Sequence, residues 1–141
     1  MIEIAEIEKI INIRRPLLFL DKVLKMEKGN SVTCLKMFSY NENFFQGHFI
    51  GNPIVPGTIL IECMLQSIKL IYFSEYIFNE KLFFSCTLPV VNFRKSVAPG
   101  DELIIEAKLF EECSFISGQV KCFVDGSEVC NLKINLINNK Q

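Results

Sequence analysis

The segment TILIECMLQSIKLIYFSEY, residues 58–76, constrains this chain more than any other. It contains neither glycine nor proline and is too long for one strand, so it reads as a helix of about 18 residues. Pro56-Gly57 stands just before it, and proline is pre-organised for the first turn of a helix. Apolar residues occupy nearly all of its sides. A helix of that kind is wrapped by other structure rather than laid on a surface. The rest of the chain therefore has to supply the wrapping.

The flanking segments are suited to that task. Ile4, Ile7 and Ile11 recur at helical spacing among Glu and Lys, which predicts a short amphipathic helix that Pro16 stops. LLFLDKVLKME then reads as a strand, KGN as a turn and SVTCLKMFS as a second strand, with imperfect alternation of Val32, Cys34, Lys36 and Phe38. After the long helix, KLFFSCTLPVVNFRKSV has β character and APGDE reads as a turn. Leu103, Ile105, Ala107 and Leu109 alternate, and so do Val120, Cys122 and Val124. The turn DGS follows, and Cys130, Leu132, Ile134 and Leu136 alternate after it. One buried helix and several long antiparallel strands predict a single α+β domain over residues 1–141, with the sheet curled around the helix.

Composition excludes several functional classes. The net charge of −1 sets up no field that would favour nucleic acid. The N-terminus MIEIAEIEKI carries glutamates where a secretory signal would be basic and then apolar. No run reaches the roughly 18 continuous apolar residues that would span a bilayer. None of the six cysteines forms a C-x-x-C pair, and the single histidine cannot complete a Cys/His zinc pattern. The cysteines read as small buried hydrophobes in a reduced, cytoplasmic protein, with no metal.

That single histidine, His48, lies in FFQGHFIGNPIVPGT between two glycines and two prolines. A lone histidine is often no more than a satisfied polar group. Here the stiff loop also suits an imidazole held in one pose, as a general base requires. Glu62 stands among Ile59, Leu60, Ile61, Cys63, Met64 and Leu65. Thr58, Glu62, Gln66 and Lys69 form one polar stripe along the helix. The stripe is either a solvated edge, with Glu62 balanced by Lys69, or the setting for a carboxylic acid that stays neutral and donates a proton. The first N–H groups of the helix, near Gly57 and Thr58, have no partner within it and can bind an oxygen on which negative charge develops. A base, an acid and oxyanion donors together suit proton abstraction beside a carbonyl, and the thioester enters with the resemblance that follows.

NENFFQGHFIGNPIVPGTILIECMLQS resembles the signature of the 3-hydroxyacyl-[acyl carrier protein] dehydratases, N-E-x-F-F-x-G-H-F-P-G-x-P-x-x-P-G-x-L-x-x-E-x-x-x-Q. The matches are Asn41, Glu42, Phe44, Phe45, Gly47, His48, Phe49, Gly51, Pro53, Pro56, Gly57, Glu62 and Gln66, with Leu60 shifted by one. RRPLLFLDKVLKMEKG and NFRKSVAPGDEL resemble two further segments of that family, so the likeness runs from about residue 5 to about 135. It implies a hotdog fold, a long central α-helix wrapped by a curved antiparallel β-sheet. It implies loss of water from a 3-hydroxyacyl thioester to give the trans-2-enoyl thioester, with the substrate on the phosphopantetheine of acyl carrier protein and no metal or diffusible cofactor. His48 of one subunit and Glu62 of the other would be the catalytic pair of a homodimer, with the Gly57 amide at the thioester carbonyl. Such dimers often assemble into trimers of dimers, and a heterodimer with a related subunit is the other arrangement.

The departures from the pattern are specific. Ile50 replaces a proline, which leaves its turn less constrained. Ile13 replaces a histidine, and Arg15 an aromatic residue. Thr87, Leu88 and Pro89 replace glycine, isoleucine and aspartate. The proton-transfer pair is intact while chain-facing positions differ, which points to a polyketide or polyene intermediate as an alternative to ordinary fatty acid synthesis. Phe44, Phe45, Phe49, Leu65, Phe83, Phe84 and Leu88 are candidates for tunnel walls or plain core. Arg94 and Lys95 are the candidates for docking the acidic carrier protein. Two further readings stay open: a hotdog acyl thioesterase, and a non-catalytic or partner-dependent subunit that binds acyl carrier protein.

Overall fold

The computed structural model describes residues 1–75, 88–111 and 115–137. The long apolar segment is helix α2, Gly57–Glu75; the short N-terminal one is α1, Ile4–Ile11. The strands are β1 (Ile2–Glu3), β2 (Lys22–Glu27), β3 (Ser31–Met37), β4 (Val90–Phe93), β5 (Glu102–Glu111), β6 (Phe115–Val124) and β7 (Ser127–Ile137). They form one seven-stranded antiparallel sheet in the order β1-β2-β3-β5-β6-β7-β4. The chain leaves the sheet after β3 and crosses it as α2. It re-enters at the far edge as β4 before β5 returns to pair with β3.

Helix α2 lies on β3, β5, β6 and β7 and against α1. It buries Leu60, Cys63, Met64, Ile68, Leu70 and Ile71 completely or nearly so. By length and composition it is apolar enough to cross a membrane, yet half of its most apolar window is buried inside the chain, as befits a core helix. Gly118 of β6 allows the close approach: a Cβ there would meet Ile68 Cδ1 at 2.9 Å and Ile134 Cγ2 at 3.2 Å. The inward faces of the strands follow their alternation. Leu103, Ile105, Ala107 and Leu109 are buried, as are Cys130, Leu132, Ile134 and Leu136. Asp125 and Gly126 both take positive φ, +48° and +78°, which is the type I′ turn expected of Asp-Gly in a hairpin.

One expected element is shorter than its sequence pattern. LLFLDKVLKME reads as a strand from Leu17, but β2 begins at Lys22. The cause is a side chain of α2. Gln66 Oε1 accepts the Phe19 N–H at 3.0 Å, and Gln66 Nε2 donates to the Leu17 carbonyl at 2.7 Å. The backbone of residues 17–19 is thereby bonded to the helix and not to a neighbouring strand.

Candidate active site

The loop after β3 is built from short hydrogen-bonded turns. A 3₁₀ turn, Asn43–Gln46, ends with the N–H groups of Gly47 and His48 both donating to the Phe44 carbonyl, at 3.4 and 3.2 Å. Phe49 and Asn52 then exchange two backbone bonds of 3.0 Å across Ile50-Gly51. Gly51 has φ +74° and Ile50 a negative φ, the type II arrangement that calls for glycine at its third position. The loop closes back on itself through Ile54 N–H to His48 O at 3.0 Å. It is pinned to the segment after β4 through Val55 N–H to Val97 O at 2.7 Å.

This framework holds the imidazole by one nitrogen. His48 Nδ1 lies 3.1 Å from the Ile54 carbonyl oxygen. A carbonyl can only accept, so in the neutral ring the proton resides on Nδ1 and Nε2 carries the lone pair. The half-buried ring stacks on Phe49, centroids 4.0 Å apart. His48 lines a cavity of about 370 Å³ together with Gly57, Leu60, Phe93, Arg94 and Lys95. The start of α2 thus opens into the histidine's cavity. There the Pro56 carbonyl accepts from Ile59 and Leu60, so the backbone bonding of the helix begins one turn in. The Phe93 ring covers Gly57 so closely that a Cβ at Gly57 would meet Phe93 Cζ at 2.9 Å.

Glu62 lies elsewhere. Five residues from Gly57 turn the helix by about 140° net, so its side chain leaves a different side of α2. It is half-buried and is not among the described residues lining the His48 cavity. Gln66 Nε2, one turn on, donates to its Oε1 at 3.0 Å, which makes Gln66 its partner along the polar stripe. Gln66 itself is fully buried. The chain alone therefore brings together the base and the amide donors and holds the carboxyl apart.

The other expected site residues divide in the same way. Phe45 is core, and Phe44 packs edge-on against it with centroids 4.6 Å apart. Leu65 is half-buried against the core. Phe49 and Leu88 are exposed, 51% and 91%. Phe83 and Phe84 lie outside the described residues. Arg94 and Lys95 are exposed at the cavity, and Arg94 Nε is bonded to Glu128 Oε2 at 2.7 Å. Phe93 was not singled out from sequence. Its signal is its place directly before Arg94, at the end of the VVNF run. Among the described residues no group of three or more His, Cys, Asp or Glu could hold a metal ion.

A family model described as the FabA-like domain matches residues 12–133. A 3-hydroxyacyl-[acyl-carrier-protein] dehydratase FabZ of Levilactobacillus brevis is 36% identical over 135 residues, 94% of this chain and 90% of the relative. The chain belongs to the 3-hydroxyacyl-[acyl carrier protein] dehydratase family. Another dehydratase of this family, the FabZ of Polynucleobacter necessarius, is 40% identical over 108 residues, covering 77% of this chain and 72% of its own. Among solved structures, the dehydratase heterocomplex ApeI:P from Xenorhabdus doucetiae superposes with a TM-score of 0.70 at 18% identity, over 95% of this chain and 91% of that one. That likeness establishes the fold, which is the hotdog fold expected of a dehydratase of this family.

Proposed function

We propose that this protein removes water from a 3-hydroxyacyl thioester carried on acyl carrier protein, giving the trans-2-enoyl thioester in fatty acid biosynthesis. The observation that carries the reading is the His48 imidazole, bound through Nδ1 and open at Nε2, in one cavity with the unpaired amide start of α2. Its relatives' dehydratase names support the same reaction. Nε2 takes the proton from the α carbon, and the electron pair moves toward the thioester oxygen. The Gly57 N–H meets the charge that develops there. As the Cβ–O bond breaks, a carboxyl proton goes to the hydroxyl and water leaves.

The carboxyl is Glu62 of a second copy of the chain. Two features support a dimer with shared sites. Within one chain Glu62 leaves a different side of α2, and apolar side chains are exposed on the His48 loop and on or just before β4: Ile50 91%, Leu88 91%, Val90 64% and Phe93 52%. Val90 and Phe93 belong to β4, an edge strand among the described residues, which a second copy can extend. Phe44, Phe49, Leu65 and Leu88 are then placed to meet the acyl chain at or near the dimer seam. Arg94 and Lys95 flank the mouth by which the phosphopantetheine arm enters. The chemistry requires no metal or other cofactor, and a cytoplasmic setting keeps the thiols reduced.

Incubation with 3-hydroxyacyl carrier proteins of several chain lengths, followed by intact mass, tests this. Loss of 18 mass units, one water (about 18 Da), is the expected result. Release of free acid would make the protein a thioesterase. An unchanged acyl group would make it a binding or partner-dependent subunit. Activity confined to polyene or polyketide intermediates would place it outside ordinary fatty acid synthesis.

A further inference from the structure

Lys36 is the one charged side chain that the described core buries, 6% exposed. It occupies an inward position of β3, in line with the buried Val32, Cys34 and Phe38. An ammonium stays in such a slot only if it is paired. Its Nζ lies 3.0 Å from Glu42 Oε1 and 3.8 Å from Asp21 Oδ2, and 5.5 Å from the centre of the Phe38 ring.

The two carboxylates have different connections. Asp21 belongs to the sheet: its Oδ2 accepts the Met37 N–H at 2.7 Å, and its own N–H donates to Leu35 O at 2.9 Å. Glu42 belongs to the loop. It is the last residue before the 3₁₀ turn, its carbonyl accepts the Phe45 N–H at 3.2 Å, and its side chain does not cap that turn. The next carbonyl but one, that of Phe44, accepts the N–H of His48 at 3.2 Å. A continuous set of bonds thus runs from the buried ammonium, through Glu42 and one turn of backbone, to the histidine.

We infer that the Asp21–Lys36–Glu42 cluster is a positioning device: Lys36, anchored to the sheet by Asp21, holds Glu42 and so sets the turn that presents His48 Nε2 to the cavity. This rests on the proposed role of His48 as the base. A cavity of about 500 Å³, bordered by Arg15, Leu18 and Leu20, opens on the same three side chains. Water can therefore reach either carboxylate when the lysine is removed, and Lys36→Met need not unfold the chain.

The test uses the fact that His48 is the only histidine. Its two ring nitrogens give one pair of ¹⁵N signals, which report the tautomer directly. In the wild type these show the Nδ1–H form. Glu42→Gln and Lys36→Met each shift them toward a tautomer average and lower kcat on the order of 10-fold, with KM changed less than about 3-fold. Asp21→Asn keeps the shorter Lys36–Glu42 bond but weakens the anchor, so it lowers thermal stability and shifts the signals less than Glu42→Gln does. Should Lys36→Met fail to fold, Glu42→Gln alone decides the matter, because Glu42 is partly exposed. Retention of the pure Nδ1–H form and of wild-type kcat in Glu42→Gln would make the cluster a structural ion pair only. A wild type that fails to dehydrate, with the tautomer shift still present in Glu42→Gln, would overturn the proposed reaction and leave the positioning role standing.

Discussion

Gln66→Leu separates two functions that meet in one amide. The side chain is fully buried and makes three hydrogen bonds, to Phe19 N–H, Leu17 O and Glu62 Oε1. Leucine is close to it in volume, so no cavity opens. A net hydrogen bond contributes about 1 kcal/mol, and one to a carboxylate about 1.5–3 when buried. Glu62 is only half-buried, so the last figure falls to about 1 kcal/mol once water replaces the amide. The three sum to about 3 kcal/mol, and burying the added apolar surface returns about 1 kcal/mol. The expected loss is therefore about 2 kcal/mol, or roughly 6–8 °C in Tm for a domain of this size. Thermal melts at fixed protein concentration measure it, since association alters apparent stability. Because the amide also orients Glu62, kcat should fall at least about 10-fold beyond any loss of folded protein. A variant with unchanged Tm and unchanged kcat would refute both arguments.

Three other perturbations follow from the geometry. Ile50 is the second residue of a type II turn, has a negative φ and is 91% exposed, so Ile50→Pro should stabilise the protein by about 0.4–1 kcal/mol in urea unfolding; a loss of stability would contradict the turn assignment. Gly57→Ala drives a methyl group into Phe93, so kcat/KM should drop roughly 10-fold with little change in Tm, and Phe93→Leu in the same chain should recover part of it; unaltered kinetics of the single variant would show that neither position matters. Burial pushes the Cys34 thiol up from 9.0 to about 12 and Cys63 still higher. A hydrogen bond with Cys130 and then burial raise Cys122, and the same bond lowers Cys130. Between pH 9 and 12 the unfolded chain binds fewer protons at the raised thiols, so stability is full below pH 9 and falls as pH rises, by about 1.4 kcal/mol per unit for each. Cys34→Ala should flatten that slope relative to wild type, and equal slopes would contradict the burial argument.

Much of the fold was legible because burial leaves a period in the sequence. Leu103 to Leu109 and Cys130 to Leu136 alternate as they do because one face of each strand lies under α2, and Asp125-Gly126 marks the turn between the last two long strands. The breakdowns have a common cause, a single polar side chain reaching across the fold. Leu17–Phe19 looks like strand, but Gln66, 47 residues from Phe19, takes the Phe19 N–H and the Leu17 carbonyl. Lys36 makes the β3 alternation look imperfect, and nothing near it in sequence shows that Asp21 and Glu42 make it a permissible core residue. Glu62 and Lys69 are spaced as a pair, whereas Gln66 is the residue bonded to Glu62. At the candidate site, the residue types and the loop's punctuation pointed to His48, Gly57 and Glu62. That the carboxyl leaves a different side of the helix is a matter of helical angle, visible once α2 is known to begin at Gly57.

The proposed dehydration needs one site that takes its imidazole and its carboxyl from two copies of the chain. Mixing inactive His48→Ala with inactive Glu62→Gln, under conditions that let subunits exchange, measures this directly. In a mixed dimer one site holds both wild-type groups and the other holds neither, so an equal mixture should regain about a quarter of wild-type dehydration. No recovery, in a mixture shown by mass to contain the mixed dimer, would contradict the shared site.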